Sequence, residues 1–475
     1  MVNAKRNAGL FMLPIIVLTI VNSLFAPTVE AQRQSAVKTL RQLQQDFVDL
    51  RFGMFIHFNI PTFMDQDWAD PEAAPTVFHP TKLNCDQWAK AAKSANMSYG
   101  CLTTKHHSGF AIWNTKTTDY NVMNSPLKRD VVKEYVDAFR ANGLKVMLYY
   151  SILDTHHKLR KGHIKPEHIQ MIKDQLTELL TNYGEITALI LDGWDAPWSR
   201  ISYDDIPFEE IYVLVKSLQP QCLVMDLNAA KYPAEGLFYT DIKSYEQGAG
   251  QHISKETNTL PALSCLPING SWFWKSSFPS EPVKDPLKLV NENIRPFNNA
   301  YCNFILNVAP NREGLIDENT LTALSAIAKV WVNKDSVPRL PSNSTPIISS
   351  NIAKGRPTAS SWSNDMWIMD FANDDNFGTS WNSNPTVKKP WLEIDLGKDQ
   401  PFNMIAIYES KPLVKKYRLE YFDKGSWKSI FSGMSNGKMN VVRFDTVWGG
   451  RVRILIEDFA EPPSIAEFCV YNERR

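Results

Sequence analysis

Between about residues 53 and 333, short apolar runs alternate with amphipathic segments, and this alternation constrains the fold more tightly than anything else in the chain. The strand-like runs are Met54 to Phe58, Tyr99 to Thr103, Lys145 to Tyr150, Ala188 to Leu191, Cys222 to Met225 and Tyr301 to Val308. Continuous apolar runs of strand length mark strands buried on both faces, as in a parallel sheet covered by helices. Between them lie helix-like stretches. Asp130 to Arg140 carries apolar residues at helical spacing, with Asp130 as a cap and Asn142-Gly143 as a stop, and Pro166 and Pro207 each suit the first turn of a helix. Strand and helix alternating over about 250 residues predicts a (β/α)8 barrel. A doubly wound open sheet is the rival, but no glycine-rich phosphate loop follows the first strand.

In such barrels the chemistry sits where the strands end. The run Leu189-Ile190-Leu191 stops abruptly at Asp192-Gly193-Trp194-Asp195, which makes Asp192 the first candidate nucleophile. An aspartate after a buried strand can also simply cap the next element. Three further polar groups at predicted strand ends favour the catalytic reading. His57 lies in Gly53-Met54-Phe55-Ile56-His57-Phe58 and is followed by Asp67-Trp68; Lys105-His106-His107-Ser108-Gly109-Phe110 comes with Trp113; and Tyr149-Tyr150-Ser151 follows Val146-Met147-Leu148. Neutral histidines, a tyrosine and an acid beside tryptophan can bind hydroxyls while an indole covers the apolar face of a ring, so together they describe a sugar pocket. A His-His pair near aspartate could instead hold zinc. Adjacent histidines on one strand point to opposite faces, however, and would share one ion poorly, so no metal is assigned.

At 475 residues the chain is too long for one ordinary domain. Its 51 basic and 51 acidic side chains cancel, leaving no general field to draw nucleic acid or an anionic membrane. Lys5 and Arg6, an apolar run from Leu10 through Phe25 and the small residues of Val29-Glu30-Ala31 predict a signal peptide over residues 1–31 and a secreted or periplasmic protein. The run is short of the ~20 residues a spanning helix needs, so no stable membrane insertion is expected after cleavage. Six cysteines without CxxC spacing predict buried thiols, with at most one bridge. Asn96, Asn269 and Asn343 each open a glycosylation triplet.

The catalytic region is placed at 32–336 and a proline- and serine-rich linker at 337–350. From 351 to 475 the texture changes to short alternating strands, such as Trp391 to Leu396, Tyr417 to Phe422 and Arg451 to Ile456, which predict a β-sandwich.

Residues 40 to 335 resemble the α-L-fucosidase family of retaining glycoside hydrolases, especially its branch acting on α-1,3/1,4-linked fucose. The resemblance is carried by Phe55-Ile56-His57-Phe58, Lys105-His106-His107-Ser108-Gly109-Phe110, Thr118-Asp119-Tyr120, Asp192-Gly193, Ser271-Trp272-Phe273-Trp274 and Phe304-Ile305-Leu306-Asn307-Val308-Ala309-Pro310. It implies that Asp192 is the nucleophile of a double displacement, that His57, Trp68, His106, His107 and Tyr149 hold the fucose ring and its hydroxyls, and that no cofactor is required. Asp67 and Trp272 complete the expected substrate-binding set. Two departures stand out. The glutamate that serves that branch as acid/base falls where this chain has Leu263, in Pro261-Ala262-Leu263-Ser264-Cys265, and a strand tryptophan common in relatives is Ile190, which is expected to alter one pocket wall. Glu246, after the strand-like run Leu237 to Ile242, is the best replacement acid/base, with Asp241, Glu256 and Asp226 behind it.

Residues 351 to 475 resemble a discoidin domain of the coagulation-factor type, through Asn351-Ile352-Ala353-Lys354-Gly355, Thr379-Ser380-Trp381 and Trp391-Leu392-Glu393-Ile394-Asp395-Leu396-Gly397. That resemblance implies core roles for Trp381 and Trp391 and a structural Ca2+ at Asn373, Asp374, Asp375 and Asn376. The expectation is thus a secreted, exo-acting α-L-fucosidase whose partner is a fucosylated oligosaccharide or glycan. The alternatives are a fucose-binding protein that lost its chemistry with Leu263, and a hydrolase for another sugar such as an α-L-galactoside.

Overall fold

The computed structural model describes residues 38–474 apart from positions 195, 197, 228–239, 250–257, 334–337, 342–346, 349–350, 377, 436 and 438. The signal segment, Glu256, Asn343 and most of the linker therefore lie outside the described residues.

Eight parallel strands carry the first domain: β1 Phe52–Ile56, β2 Tyr99–Lys105, β3 Lys145–Ser151, β4 Ala188–Asp192, β5 Leu223–Asp226, β6 Lys243–Glu246, β7 Ala262–Pro267 and β8 Cys302–Asn307. They are ordered β5-β4-β3-β2-β1-β8-β7-β6, so the sheet curls round until β5 meets β6. There Asp241 closes the seam. Its N–H donates to the Val224 carbonyl at 2.9 Å, and its Oδ2 accepts the Val224 N–H at 2.8 Å, which continues the hydrogen-bond ladder with a side chain. Tyr212 O–H and Lys216 Nζ, each at 2.8 Å, satisfy the rest of that buried carboxylate. Asp241 is thereby removed from the candidate proton donors: it is structural.

The period-2 alternation of each strand sorts its residues into two layers. Phe55, Tyr99, Met147, Ile190, Met225 and Leu263 fill the barrel interior, while residues such as Met54, Leu102, Leu148 and Leu189 face the helices outside. Leu263 is fully buried in that interior, opposite Ser244 and Asn303. Ile190 sits there too, in the interior core and not in a pocket wall, which corrects the expectation from sequence.

The helix Val131–Ala141 starts at Asp130, whose carboxylate caps the Lys133 N–H, and stops at Asn142, as its pattern predicts. Pro166 opens the helix Pro166–Thr181, whereas Pro207 stands just before Phe208–Leu218. Of the strand expected from Leu237 to Ile242, positions 237–239 lie outside the described residues, and the strand described there is Lys243–Glu246, so Glu246 closes a strand and does not follow one. β7 was not among the expected runs.

The second domain is antiparallel throughout. Its longest strands, Trp391–Glu409 and Met439–Phe459, pair with register shifts between Asp395 and Gln400 and between Phe402 and Met404, the irregularities that let a long strand bend. Alternate residues Leu392, Ile394 and Leu396 join Trp381, Val452 and Ile454 in its core; Trp381 is fully buried and Trp391 half-buried. Met404, Ala406, Tyr408, Cys469 and Tyr471 belong to the barrel's outer apolar cluster, which docks this sheet on the first domain. All six cysteines are buried and unbridged. No helix among the described residues is long and apolar enough to cross a membrane.

Candidate active site

Parallel strands deliver their last residues to one end of the barrel, and there a cavity of about 260 Å3 opens. His57, Asp67, Trp68, His106, His107, Asp192, Glu246 and Trp272 all line it. Tyr149 sits beneath and reaches the same site through Asp192, to whose Oδ2 its O–H donates at 2.6 Å. Every expected site residue is thus brought together.

Asp192 ends β4 and is buried. Gly193 follows with φ +112°, and a Cβ there would lie 2.9 Å from the Leu153 N, so only glycine lets the chain turn away directly behind the carboxylate. Glu246 ends β6. Burial first, then the charge of Asp192, push its carboxyl up to about 7, against a hydrogen bond from the Trp272 indole that pulls the other way. Two carboxyl groups therefore share one cavity in unlike environments, the arrangement that separates an acid from a nucleophile.

The three histidines are neutral. His57 Nδ1 lies 2.7 Å from Asn307 Oδ1, and the Asn307 Nδ2 donates to the Trp272 carbonyl at 2.7 Å. The amide is thereby oriented, so Nδ1 carries the hydrogen and Nε2 offers a lone pair. Burial pushes His57 down to about 4, outweighing the Asn307 bond and Asp67. In the same way Ser151 gives its hydroxyl hydrogen to the Leu153 carbonyl at 2.7 Å and accepts His107 Nδ1–H at 2.8 Å. His107 Nε2 then lies 3.8 Å from Asp192 Oδ2, and burial, His57 and Lys105 together push this imidazole down to about 3. Burial, reinforced by His107 and His57, also holds His106 well below the usual range, and its Nδ1 is buried with no hydrogen-bond partner.

Lys105 points the other way. It is fully buried, with Nζ 3.0 Å from Tyr150 O–H and 3.2 Å from Asp154 Oδ2. Asp154 also accepts the His157 N–H at 3.0 Å and Nδ1–H at 2.8 Å. Burial would raise this carboxyl, but Lys105 and His157 hold it well below the usual range. A Cβ on Gly109, at φ +87°, would stand 2.2 Å from Asp154 Oδ1. The network therefore pins the loop that bears His106 and His107.

A second anchor fixes the loop of Trp68. Asp67 accepts from Ser271 Oγ at 2.6 and 2.5 Å and from the Phe273 N–H at 3.1 Å, with Lys275 Nζ at 3.3 Å. Its carboxylate reaches the cavity but is committed to holding two loops together.

Other expectations change. Trp113 is fully buried and donates to Glu178 at 2.9 Å, so it is structural. Asp226 is buried, accepts from Tyr203 O–H and does not line the cavity. Asn269 is buried, which disfavours it as a glycosylation site. Sequence reasoning missed Phe55, Leu227 and Trp198, all of which line the cavity. Phe55 could have been found two residues before His57 on the same strand face; Trp198 carries no periodic signal. No group of three or more His, Cys, Asp or Glu side chains among the described residues is arranged to hold a metal ion.

Residues 64–336 match the alpha-L-fucosidase family model, and residues 357–468 match the F5/8 type C domain. Alpha-L-fucosidase 1 of Arabidopsis thaliana is 28% identical over 461 residues, covering 89% of this chain and 85% of its own. Tissue alpha-L-fucosidase of Homo sapiens is 23% identical over 339 residues, covering 62% of this chain and 68% of its own. The solved alpha-L-fucosidase isoenzyme 1 of Paenibacillus thiaminolyticus, 24% identical, shares the fold with a TM-score of 0.52 over 88% of this chain and 100% of that one.

Proposed function

We propose, because this chain belongs to the alpha-L-fucosidase family of glycoside hydrolases, that it is a secreted or periplasmic exo-acting enzyme that removes terminal α-linked L-fucose from glycans or oligosaccharides with retention of configuration. The observation that carries the reading is the pair of carboxyl groups in one cavity, Asp192 supported by Tyr149 and Glu246 pushed up to about 7. Asp192 attacks the anomeric carbon while Glu246 gives its proton to the departing oxygen. The resulting fucosyl ester on Asp192 is then cleaved by water, whose proton returns to Glu246. Two carboxyls and water balance every proton in this cycle without a cofactor. Nε2 of His57 and of His107 accept hydrogen bonds from sugar hydroxyls, and the cavity has room for a single sugar ring.

Leu263 does not argue for a binding protein without chemistry. It lies inside the barrel, whereas Glu246 occupies the cavity with a carboxyl that is substantially protonated near neutral pH. Export rests on the leader pattern ending at Ala31, and an N-terminus found at Met1 in exported material would sink it.

A structural Ca2+ in the second domain belongs to the same reading. The Asn376 N–H donates to both Asp374 Oδ1 at 3.0 Å and Glu467 Oε1 at 2.9 Å, and Thr379 Oγ1 donates to Asp374 at 2.8 Å. Burial and the nearby charges of Asp375 and Asp374 push Glu467 up to about 8, with Lys354 Nζ 3.2 Å from Asp375 as the cation beside this group of oxygens. A melting temperature that is the same in Ca2+ and in chelator would count against the ion.

The test of the activity is hydrolysis of 4-nitrophenyl α-L-fucoside and a fucosylated oligosaccharide by wild type and Asp192→Asn, with the product anomer followed by NMR. Wild type is expected to cleave both and release α-L-fucose first, and the variant to lose both. A wild type that cleaves neither, or that releases the β anomer first, overturns the reading.

A further inference from the structure

We propose that Trp198 is a specificity-determining residue: with Trp68 it walls the mouth of the cavity over the hydroxyl edge of the fucosyl ring and admits only fucose whose own hydroxyls carry no substituent. The inference deepens the proposed function and rests on it.

Among the described residues that line the cavity, only Trp68 and Trp198 are exposed, at 44% and 42%. Large apolar rings left in water side by side at a cavity mouth mark a surface that a ligand covers. The two indoles meet edge to face, with centroids 5.2 Å apart and planes at 81°, and so form a right-angled corner. Both rings rest on the His107 imidazole, Trp68 at 4.5 Å and Trp198 at 4.4 Å. The corner is rigid from below: His107 is fixed by Ser151, and the Trp68 loop is held by Asp67.

Strand order decides which part of the sugar this corner faces. His107 follows β2, and Glu246 ends β6, four strands away in either direction around the ring. The departing oxygen must lie at Glu246, because that carboxyl protonates it. The Trp corner rests on His107, across the ring of strands from Glu246, and because His107 Nε2 lies 3.8 Å from Asp192 Oδ2 it faces the ring edge that starts beside the anomeric carbon and is turned away from Glu246. That edge bears the hydroxyls that Nε2 of His57 and of His107 can accept from. A substituent on such a hydroxyl would have to pass through Trp198 or Trp68. Trp68 comes from the loop after β1 and Trp198 from the segment after the nucleophile, so the wall is assembled from two separate parts of the chain.

The test measures kcat/KM for 4-nitrophenyl α-L-fucoside, for its 2-, 3- and 4-O-methyl ethers and for a fucosylated oligosaccharide, with wild type, Trp198→Ala and Trp198→Phe. Each ether forfeits a hydroxyl donor whatever the wall does, so the reading is a gain of function. Trp198→Ala should turn over at least one ether tenfold or more faster than wild type and so raise the kcat/KM ratio of that ether to the parent fucoside, and Trp198→Phe should keep that ratio close to the wild-type one. Three results overturn the proposal. In one, no ether improves in Trp198→Ala. In another, parent and ethers fall together, which would make Trp198 a support for His107. In the third, the oligosaccharide alone loses tenfold or more, which would place the leaving group on the corner. A wild type inactive on the parent fucoside would instead bring down the proposed function itself.

Discussion

Replacing Glu246 by glutamine isolates the proton donor from the rest of the site. Burial and the neighbouring Asp192 lift this carboxyl from 4.5 to about 7, which disfavours its charged form by roughly 3 kcal/mol. About nine-tenths of the molecules then carry the proton at pH 6 and about one-tenth at pH 8, so kcat/KM on an oligosaccharide should fall about tenfold per pH unit above 7. General acid catalysis is worth roughly 10²- to 10⁴-fold, and Glu246→Gln should lose that much on the oligosaccharide. On α-L-fucosyl fluoride, whose leaving group departs without a proton, the loss should stay under about tenfold. The assay is a pH–rate profile from pH 5 to 9 on both substrates. An alkaline limb near pH 7 that persists in the variant, or equal losses on the two substrates, would refute the assignment. Stability gives an independent check. A carboxyl whose folded value is raised stabilises the protein fully below its unfolded value, and that contribution is lost as pH rises through about 7. Glutamine does not titrate, so the variant should gain on wild type by up to roughly 3 kcal/mol between pH 5 and pH 8 in urea unfolding.

Other substitutions probe the supports. Tyr149→Phe deletes the 2.6 Å hydrogen bond to Asp192; a bond to a charged group is worth roughly 1.5–3 kcal/mol, so kcat/KM on an aryl fucoside should drop about 10- to 150-fold, and unchanged kinetics would remove Tyr149 from the site. Lys105→Met removes the lysine from the fully buried Asp154 and leaves the carboxylate only its hydrogen bonds from His157, which should cost roughly 3–5 kcal/mol in urea unfolding. Adding Asp154→Asn should recover part of that loss; if Lys105→Met alone is neutral, the ion pair does not anchor the histidine loop.

How much of this was legible in the sequence depended on how local each signal is. β1 to β5 and β8 are readable because strands buried on both faces are continuous apolar runs. β6 escapes that rule: Lys243, Ser244 and Glu246 make it polar, since its end serves the site and not the core. Asp192 is legible because an apolar run, a carboxylate and a glycine coincide. Asn307 and Ser151, which set the tautomers of His57 and His107, look like any polar residues near a strand end, and only their partners across the barrel reveal the role. The seam role of Asp241 is hidden for the same reason, because Val224, Tyr212 and Lys216 meet it only after the barrel curls. Ile190 was misplaced because sequence gives the strand and not the depth of a residue along it.

The most direct test of the central claim is covalent trapping with 2-deoxy-2-fluoro-α-L-fucosyl fluoride, which forms a glycosyl ester readily and hydrolyses it slowly. Mass spectrometry of the digested protein should find one fluorofucosyl adduct, on the peptide containing Asp192. An adduct on another carboxylate, or none from an enzyme inactivated by the reagent, would contradict the account.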